Sequence, residues 1–282
     1  MKRILAVLVL GAGLALAAKP LAVATIPPYA ALARAVLGEG WQVESLVPPG
    51  ANPHVFSPTP ADVKKVARAR LVIMNGLGLD GWLLEKLIRP NNLGARVFTV
   101  ADHLKEHVLT LPSGAPDPHV WTDPRLMAGV VAELARTAAE LDPKNAAAYR
   151  ERSRVYGQKL IELSETTKKL LAAAPTRRFV AFKNPFSYLI SRYRLERVYL
   201  ITPNPAAQPS PRELAEAARI MAAEHIAYLV APLQLEGEAG RIARSLGVKP
   251  ALIDLLNQTG PDYLAVWEAN GRVLARALGL ER

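Results

Sequence analysis

Short β-rich runs alternate with helical periodicity from Leu21 onward, the pattern of βα units feeding a parallel sheet. Leu21 to Ile26, Gln42 to Val47, Leu71 to Met74 and Arg96 to Val100 read as one series of strands. Arg178 to Phe182, Arg197 to Ile201, Ala227 to Val230 and Ala251 to Leu255 read as a second. Asp142-Pro143 between them offers a cap and a first-turn proline, and no further proline follows until Pro175. Continuous over those thirty-odd positions, a helix would reach about 48 Å. A single Gly157 interrupts the stretch; it costs a helix only about 1 kcal/mol, although two helices broken there remain the alternative. The pattern predicts an α/β protein: two four-stranded parallel-sheet lobes, residues 18–141 and 176–282, joined by one long rigid connecting helix over 142–175.

Two capping signals repeat between the halves. Ser57-Pro58-Thr59-Pro60-Ala61-Asp62 and Gln208-Pro209-Ser210-Pro211-Arg212-Glu213 each set a hydroxyl at the cap, proline at the first helical position and an acid at the third. They support a pseudo-repeat and carry no chemistry.

The start of the chain changes the picture of where it works. Met1-Lys2-Arg3, an apolar run from Ile4 to Leu16 and Ala15-Leu16-Ala17 have the layout of a signal peptide over residues 1–17, cleaved after Ala17 or Ala18. The run is short for a spanning helix. The expected product is a soluble, exported protein, periplasmic and without a lipidation cysteine, because the sequence has none. The absence of cysteine also removes disulfides and thiolate ligands from consideration. The net charge of +10 falls to about +8 once Lys2 and Arg3 leave, and it is spread over helices rather than gathered into a basic, aromatic-studded block. Nucleic acid is therefore not an expected partner, and the chain is expected to act as a monomer.

Candidate chemistry gathers at two Pro-His corners. Pro48-Pro49-Gly50-Ala51-Asn52-Pro53-His54 and Asp117-Pro118-His119-Val120-Trp121-Thr122-Asp123-Pro124 use two of only five histidines. Proline fixes its own φ and biases its neighbour toward extended backbone, so each imidazole sits on a stiff loop suited to a metal ligand. His103 and His107 lie four apart, on one face if that stretch is helical, and His225 has no companion motif.

Taken together, Ser45 to Pro60 (SLVPPGANPHVFSPTP), Asn75 to Lys86 (NGLGLDGWLLEK), DPHVWTDP, PSPREL at 209–214 and the region of Asp254 resemble the periplasmic zinc- and manganese-binding proteins of ABC importers, over nearly the whole mature chain. That resemblance implies a receptor, not an enzyme, that captures a divalent transition metal such as Zn2+ or Mn2+ between its lobes and delivers it to an inner-membrane ABC permease. It implies His54 and His119 as ligands from the first lobe and Asp254 as the carboxylate of the second. A histidine-containing loop is common among zinc-specific members near the position of His103 and His107. Strand C-termini, where Asp254 falls, are also where open α/β sheets place ligands.

One position departs from the family. Where members carry His or Glu after the strand opening the second lobe, Phe179-Val180-Ala181-Phe182-Lys183-Asn184 puts Lys183. With a pKa of about 10.4, lysine pays about 4 kcal/mol to lose its proton at neutral pH, roughly three decades of affinity. Lys183 either points away, places its ammonium in the cation's position beside Asp254, or serves an anionic or pre-chelated ligand. A third histidine would have favoured zinc; without it the metal stays open among zinc, manganese and iron. Two alternatives remain from other classes: a metal-handling enzyme such as a chelatase, although no Gly-x-Ser-x-Gly elbow or Walker loop is present, and a receptor-like protein that has lost metal binding through Lys183.

Overall fold

The computed structural model describes residues 18–203 and 207–280. The expected leader at 1–17 lies outside the described residues. The first lobe runs β1 (Leu21–Ala24), α1 (Pro27–Leu37), β2 (Gln42–Ser45), α2 (Pro60–Ala67), β3 (Leu71–Met74), a π-helical stretch Leu83–Ile88 continuing into α3 (Arg89–Asn91), and β4 (Arg96–Thr99). Then come α4 (Pro124–Leu141) and α5 (Ala146–Ala172). The second lobe runs β5 (Arg178–Ala181), α6 (Ser187–Tyr193), β6 (Glu196–Leu200), α7 (Pro211–Ala223), β7 (Tyr228–Pro232), α8 (Glu236–Ser245), β8 (Lys249–Ile253) and α9 (Tyr263–Ala277).

Both sheets are four-stranded and parallel, with orders β2-β1-β3-β4 and β6-β5-β7-β8. The same order in both halves agrees with the repeated caps. Thr59 with Asp62 and Ser210 with Glu213 each form a complete capping box at the start of α2 and α7.

One face of each sheet packs on helices of its own lobe: Val66, Leu83 and Leu87 cover the first, and Ala217, Met221 and Ile242 cover the second. The other faces share a single core. Ala22, Ala24 and Ile73 from one sheet belong with Ala181, Val230 and Ile253 from the other to a cluster continued through Tyr29, Val131, Leu160 and Trp267 on α1, α4, α5 and α9. Burial in this common layer, at about 25 cal/mol per Å2 of apolar area, ties the lobes together more strongly than a linker would.

The expected connecting helix begins later than its sequence suggests. Asp142 does not cap it; its carboxylate accepts from the Asn145 amide and the Tyr149 hydroxyl, both at 2.7 Å, which winds Pro143–Asn145 into a 3-10 turn before α5 starts. From there α5 is unbroken for 27 residues, about 40 Å. Gly157 lies on its buried face against α4, where an added Cβ would meet the Ala128 carbonyl oxygen at 3.6 Å and Val131 Cγ2 at 3.7 Å. Those are ordinary contacts, so Gly157→Ala is expected to raise stability by about 0.5–1 kcal/mol in urea unfolding through helix propensity. A loss of stability would mean that α4 and α5 need the bare backbone to approach.

Candidate metal centre

His54 sits in a short 3-10 turn, Pro53–Val55, that Asn52 opens by accepting the His54 backbone N–H at 2.9 Å. Upstream, Gly50 adopts φ +82°, a left-handed conformation that favours glycine. An added Cβ there would press on Gln258 Oε1 at 3.0 Å, so the His54 loop lies directly against the loop after β8.

The His119 loop is fixed more heavily. Asp117, fully buried, accepts the His119 backbone N–H at 3.0 Å and the ring Nδ1–H at 2.7 Å through one carboxylate oxygen. The second lobe grips the same loop. The Tyr188 hydroxyl donates to the Asp117 carbonyl at 2.9 Å, Trp121 Nε1 to the Leu255 carbonyl at 2.8 Å, and the Tyr263 hydroxyl to the Trp121 carbonyl at 2.7 Å. Arg192 on α6 pairs with Asp123, the N-cap of α4, at 2.8 Å.

These two loops bring the predicted pair together: the Nε2 atoms of His54 and His119 are 3.3 Å apart. Because Asp117 takes the Nδ1–H of His119, its Nε2 carries the lone pair. In this contact His54 is therefore the donor through Nε2–H. Two imidazole nitrogens on one tetrahedral zinc are also about 3.3–3.4 Å apart, so little rearrangement would be needed beyond moving the His54 proton to Nδ1 or solvent.

Desolvation by the surrounding atoms and then the neighbouring His119 push His54 down to about 4, with Asp117 opposing them, although one side of the residue stays exposed to solvent. Burial alone would raise Asp117; hydrogen bonds from the His119 ring and backbone N–H and from the Ser187 hydroxyl, with the electrostatic pull of His119, outweigh it and hold the carboxyl below its usual range. A neutral His54 is ready to donate a lone pair well below neutral pH. The unfolded chain takes up a proton near 6.5 that folded His54 refuses until about 4, so this group lowers stability as pH falls through that window. An NMR titration is expected to find His54 still neutral at pH 5.5; a midpoint at or above 6 would contradict the desolvation.

The other two candidates face elsewhere. Asp254, 4% exposed, turns its carboxylate onto its own loop: Oδ1 accepts from Leu256 and Gln258 N–H at 3.1 and 3.0 Å, Oδ2 from the Thr259 N–H and hydroxyl at 2.7 and 2.8 Å. A carboxylate offers about four acceptor positions, so reaching an ion would require Asp254 to release one of these bonds. Lys183, 6% exposed, donates to the Ala207 carbonyl at 2.7 Å and lies 4.9 Å from the centre of the Phe182 ring. Burial lowers its pKa, while Glu238 and Glu213 oppose that shift. Among the described residues, no group of three or more His, Asp or Glu stands ready to hold an ion.

One residue behind the pair lay outside the predicted set. Asp117 was signalled by Asp-Pro-His, since an aspartate side chain readily accepts the N–H two residues on. His103 and His107 lie on two successive 3-10 turns instead of one helical face; His103 stacks on Phe98 at 4.6 Å and approaches Glu133 at 3.7 Å. His225 occupies the exposed turn after α7 at φ +54°. A groove of about 760 Å3 runs between Pro48, Pro49 and Phe56 on one side and Asn257 to Pro261 on the other, and none of the four candidate residues lines it.

Comparison with known proteins places these features in context. A family model described as zinc-uptake complex component A, periplasmic, matches residues 22–277. The iron-binding protein YfeA of Yersinia pestis is 28% identical over 191 residues, 65% of this chain and 60% of YfeA. The high-affinity zinc uptake system protein ZnuA of Bacillus subtilis is 25% identical over 248 residues, 83% of this chain and 77% of that protein. A crystal structure of a ZnuA shares the fold with a TM-score of 0.84 at 24% identity, over 93% of this chain and 100% of that one. The alignments span 60–66% of the length of three curated relatives.

Proposed function

The chain belongs to the family of periplasmic zinc-uptake complex component A, and from that premise we propose that it is a solute receptor, not an enzyme, that takes a divalent transition metal into the cleft between its lobes and passes it to a membrane ABC permease. The observation that carries this reading is the pair of Nε2 atoms at 3.3 Å, presented by two separate loops, with a buried aspartate behind one of them. Relatives described as zinc-uptake and iron-binding proteins support a metal as the cargo and leave zinc, manganese and iron(II) all within range.

In this reading His54 and His119 supply two neutral donors from the first lobe. Asp117 fixes the His119 tautomer, and conserving that orientation is what a hydrogen-bonded carboxylate behind a ligand does elsewhere. Asp254 completes the set from the second lobe once it gives up a bond to its own loop, and solvent fills the remainder. Lys183 holds the family's fourth position without acting as a donor. Export by cleavage of the leader, a periplasmic location without a lipid anchor and action as a monomer belong to the same proposal.

Elemental analysis of the protein purified from the periplasm without added metal tests it; one equivalent of a transition metal is expected, and none would overturn it. Lys183 has its own test. Since its ammonium is engaged at the Ala207 carbonyl, Lys183→Ala is expected to leave zinc and manganese affinity within about a factor of ten, or 1.4 kcal/mol, by titration calorimetry. A larger gain would mean that the ammonium competes with the ion.

A further inference from the structure

Asp254 leaves β8 at its C-terminal end, where open α/β sheets hold their ligands, and the loop it opens is fastened to both histidine loops. The Leu255 carbonyl accepts from Trp121, whose ring lies 5.3 Å from that of His119. Gln258 lies against Gly50, just upstream of His54.

The four donors on the Asp254 carboxylate are not equally free to leave. Oδ1 takes the Leu256 N–H at 3.1 Å and the Gln258 N–H at 3.0 Å. The Leu256 N–H shares its peptide plane with the Leu255 carbonyl, so one rigid unit is held at both ends, by Asp254 Oδ1 and by Trp121 Nε1. The Asn270 side chain also fixes the Asp254 backbone N–H and carbonyl, at 2.9 and 2.8 Å. Oδ2, among the described residues, is held by Thr259 alone, through its N–H at 2.7 Å and its hydroxyl at 2.8 Å. Of the four donors only that hydroxyl can withdraw by rotation about a side-chain bond; each N–H leaves only if the backbone moves. Thr259 is exposed and lines the groove of about 760 Å3, so a hydroxyl turned out of this contact meets solvent rather than a dry core. Its departure opens one of the roughly four acceptor positions of a buried carboxylate.

We propose that the Thr259 hydroxyl is a catch on the metal centre: it occupies Oδ2 of Asp254 until an ion arrives, then turns away, and so sets the affinity of the site. This rests on the reading of Asp254 as the second lobe's donor. Thr259 is a positioning residue, acting through the carboxylate. Its one bond therefore works in opposite directions on two quantities, stabilising the metal-free fold and opposing the ion. A side chain that only supported the loop would move both the same way.

Thr259→Val keeps the branched shape and the backbone N–H but has no hydroxyl. By titration calorimetry it is expected to bind zinc and manganese about tenfold more tightly than the parent, or 1.4 kcal/mol, while the metal-free variant unfolds at lower urea. Thr259→Ser, which restores the hydroxyl, is expected to return both quantities toward the parent, and Thr259→Ala serves if the valine variant does not fold. In the parent, hydrogen exchange is expected to leave the Leu256 and Gln258 amides protected when zinc is added; their release would overturn the proposal, because Oδ1 would then be the oxygen given up. Unchanged or weaker binding in Thr259→Val, beside a loss of at least tenfold in Asp254→Asn, would overturn the catch and leave the reading of Asp254 standing. Full metal binding in Asp254→Asn would remove the reading beneath it.

Discussion

His119→Ala is expected to lower zinc and manganese affinity about a thousandfold, close to 4 kcal/mol, with the fold preserved. The ring is the better oriented of the two donors, because Asp117 holds its Nδ1 at 2.7 Å and turns Nε2 toward His54. His54→Ala should cost a similar amount, since either change leaves a single imidazole. Asp117→Asn separates orientation from donation: the amide keeps the shape but weakens the hold on Nδ1–H, and a loss of about 10–100-fold is expected. Titration calorimetry on the three variants measures all of this. Unchanged affinity in both histidine variants would sink the assignment of the pair.

Asp254→Ala is expected to cost about 3–5 kcal/mol of stability whether or not the residue ever meets a metal. Its carboxylate takes three backbone N–H groups and the Thr259 hydroxyl, and the Asn270 side chain holds its backbone N–H and carbonyl at 2.9 and 2.8 Å. Removing it strands donors in a loop that abuts Gly50 and, through Leu255, Trp121. Urea unfolding should show a lower midpoint with little change in slope. A loss under about 1 kcal/mol would mean that water replaces the carboxylate easily. Lost metal binding in Asp254→Ala is therefore no proof of ligation.

The two strand series and the two capping boxes were legible in the chain because their causes are local: apolar runs, proline and a hydroxyl three residues before an acid. The pairing of His54 with His119 was legible only as matched loops; their approach depends on Tyr188, Leu255 and Tyr263 of the other lobe gripping one loop. Side-chain direction was the least legible feature. The residue types at 183 and 254 suit a charge pair, but Lys183 turns to a carbonyl 24 residues on and Asp254 to donors within five residues of itself. The late start of α5 has a similar origin, since Tyr149 competes for the aspartate that would have capped it.

The common core running from Ala22 through Val131 and Leu160 to Ile253 has a consequence for how the chain behaves as a thermodynamic object. Topology counts two halves, yet neither can withdraw from the other without exposing the apolar faces of α1, α4, α5 and α9. The halves therefore melt as one cooperative unit, and the entropy of bringing the two histidine loops together is spent during folding. In the proposed reading a metal meets the two imidazoles already side by side and owes little for arranging that pair.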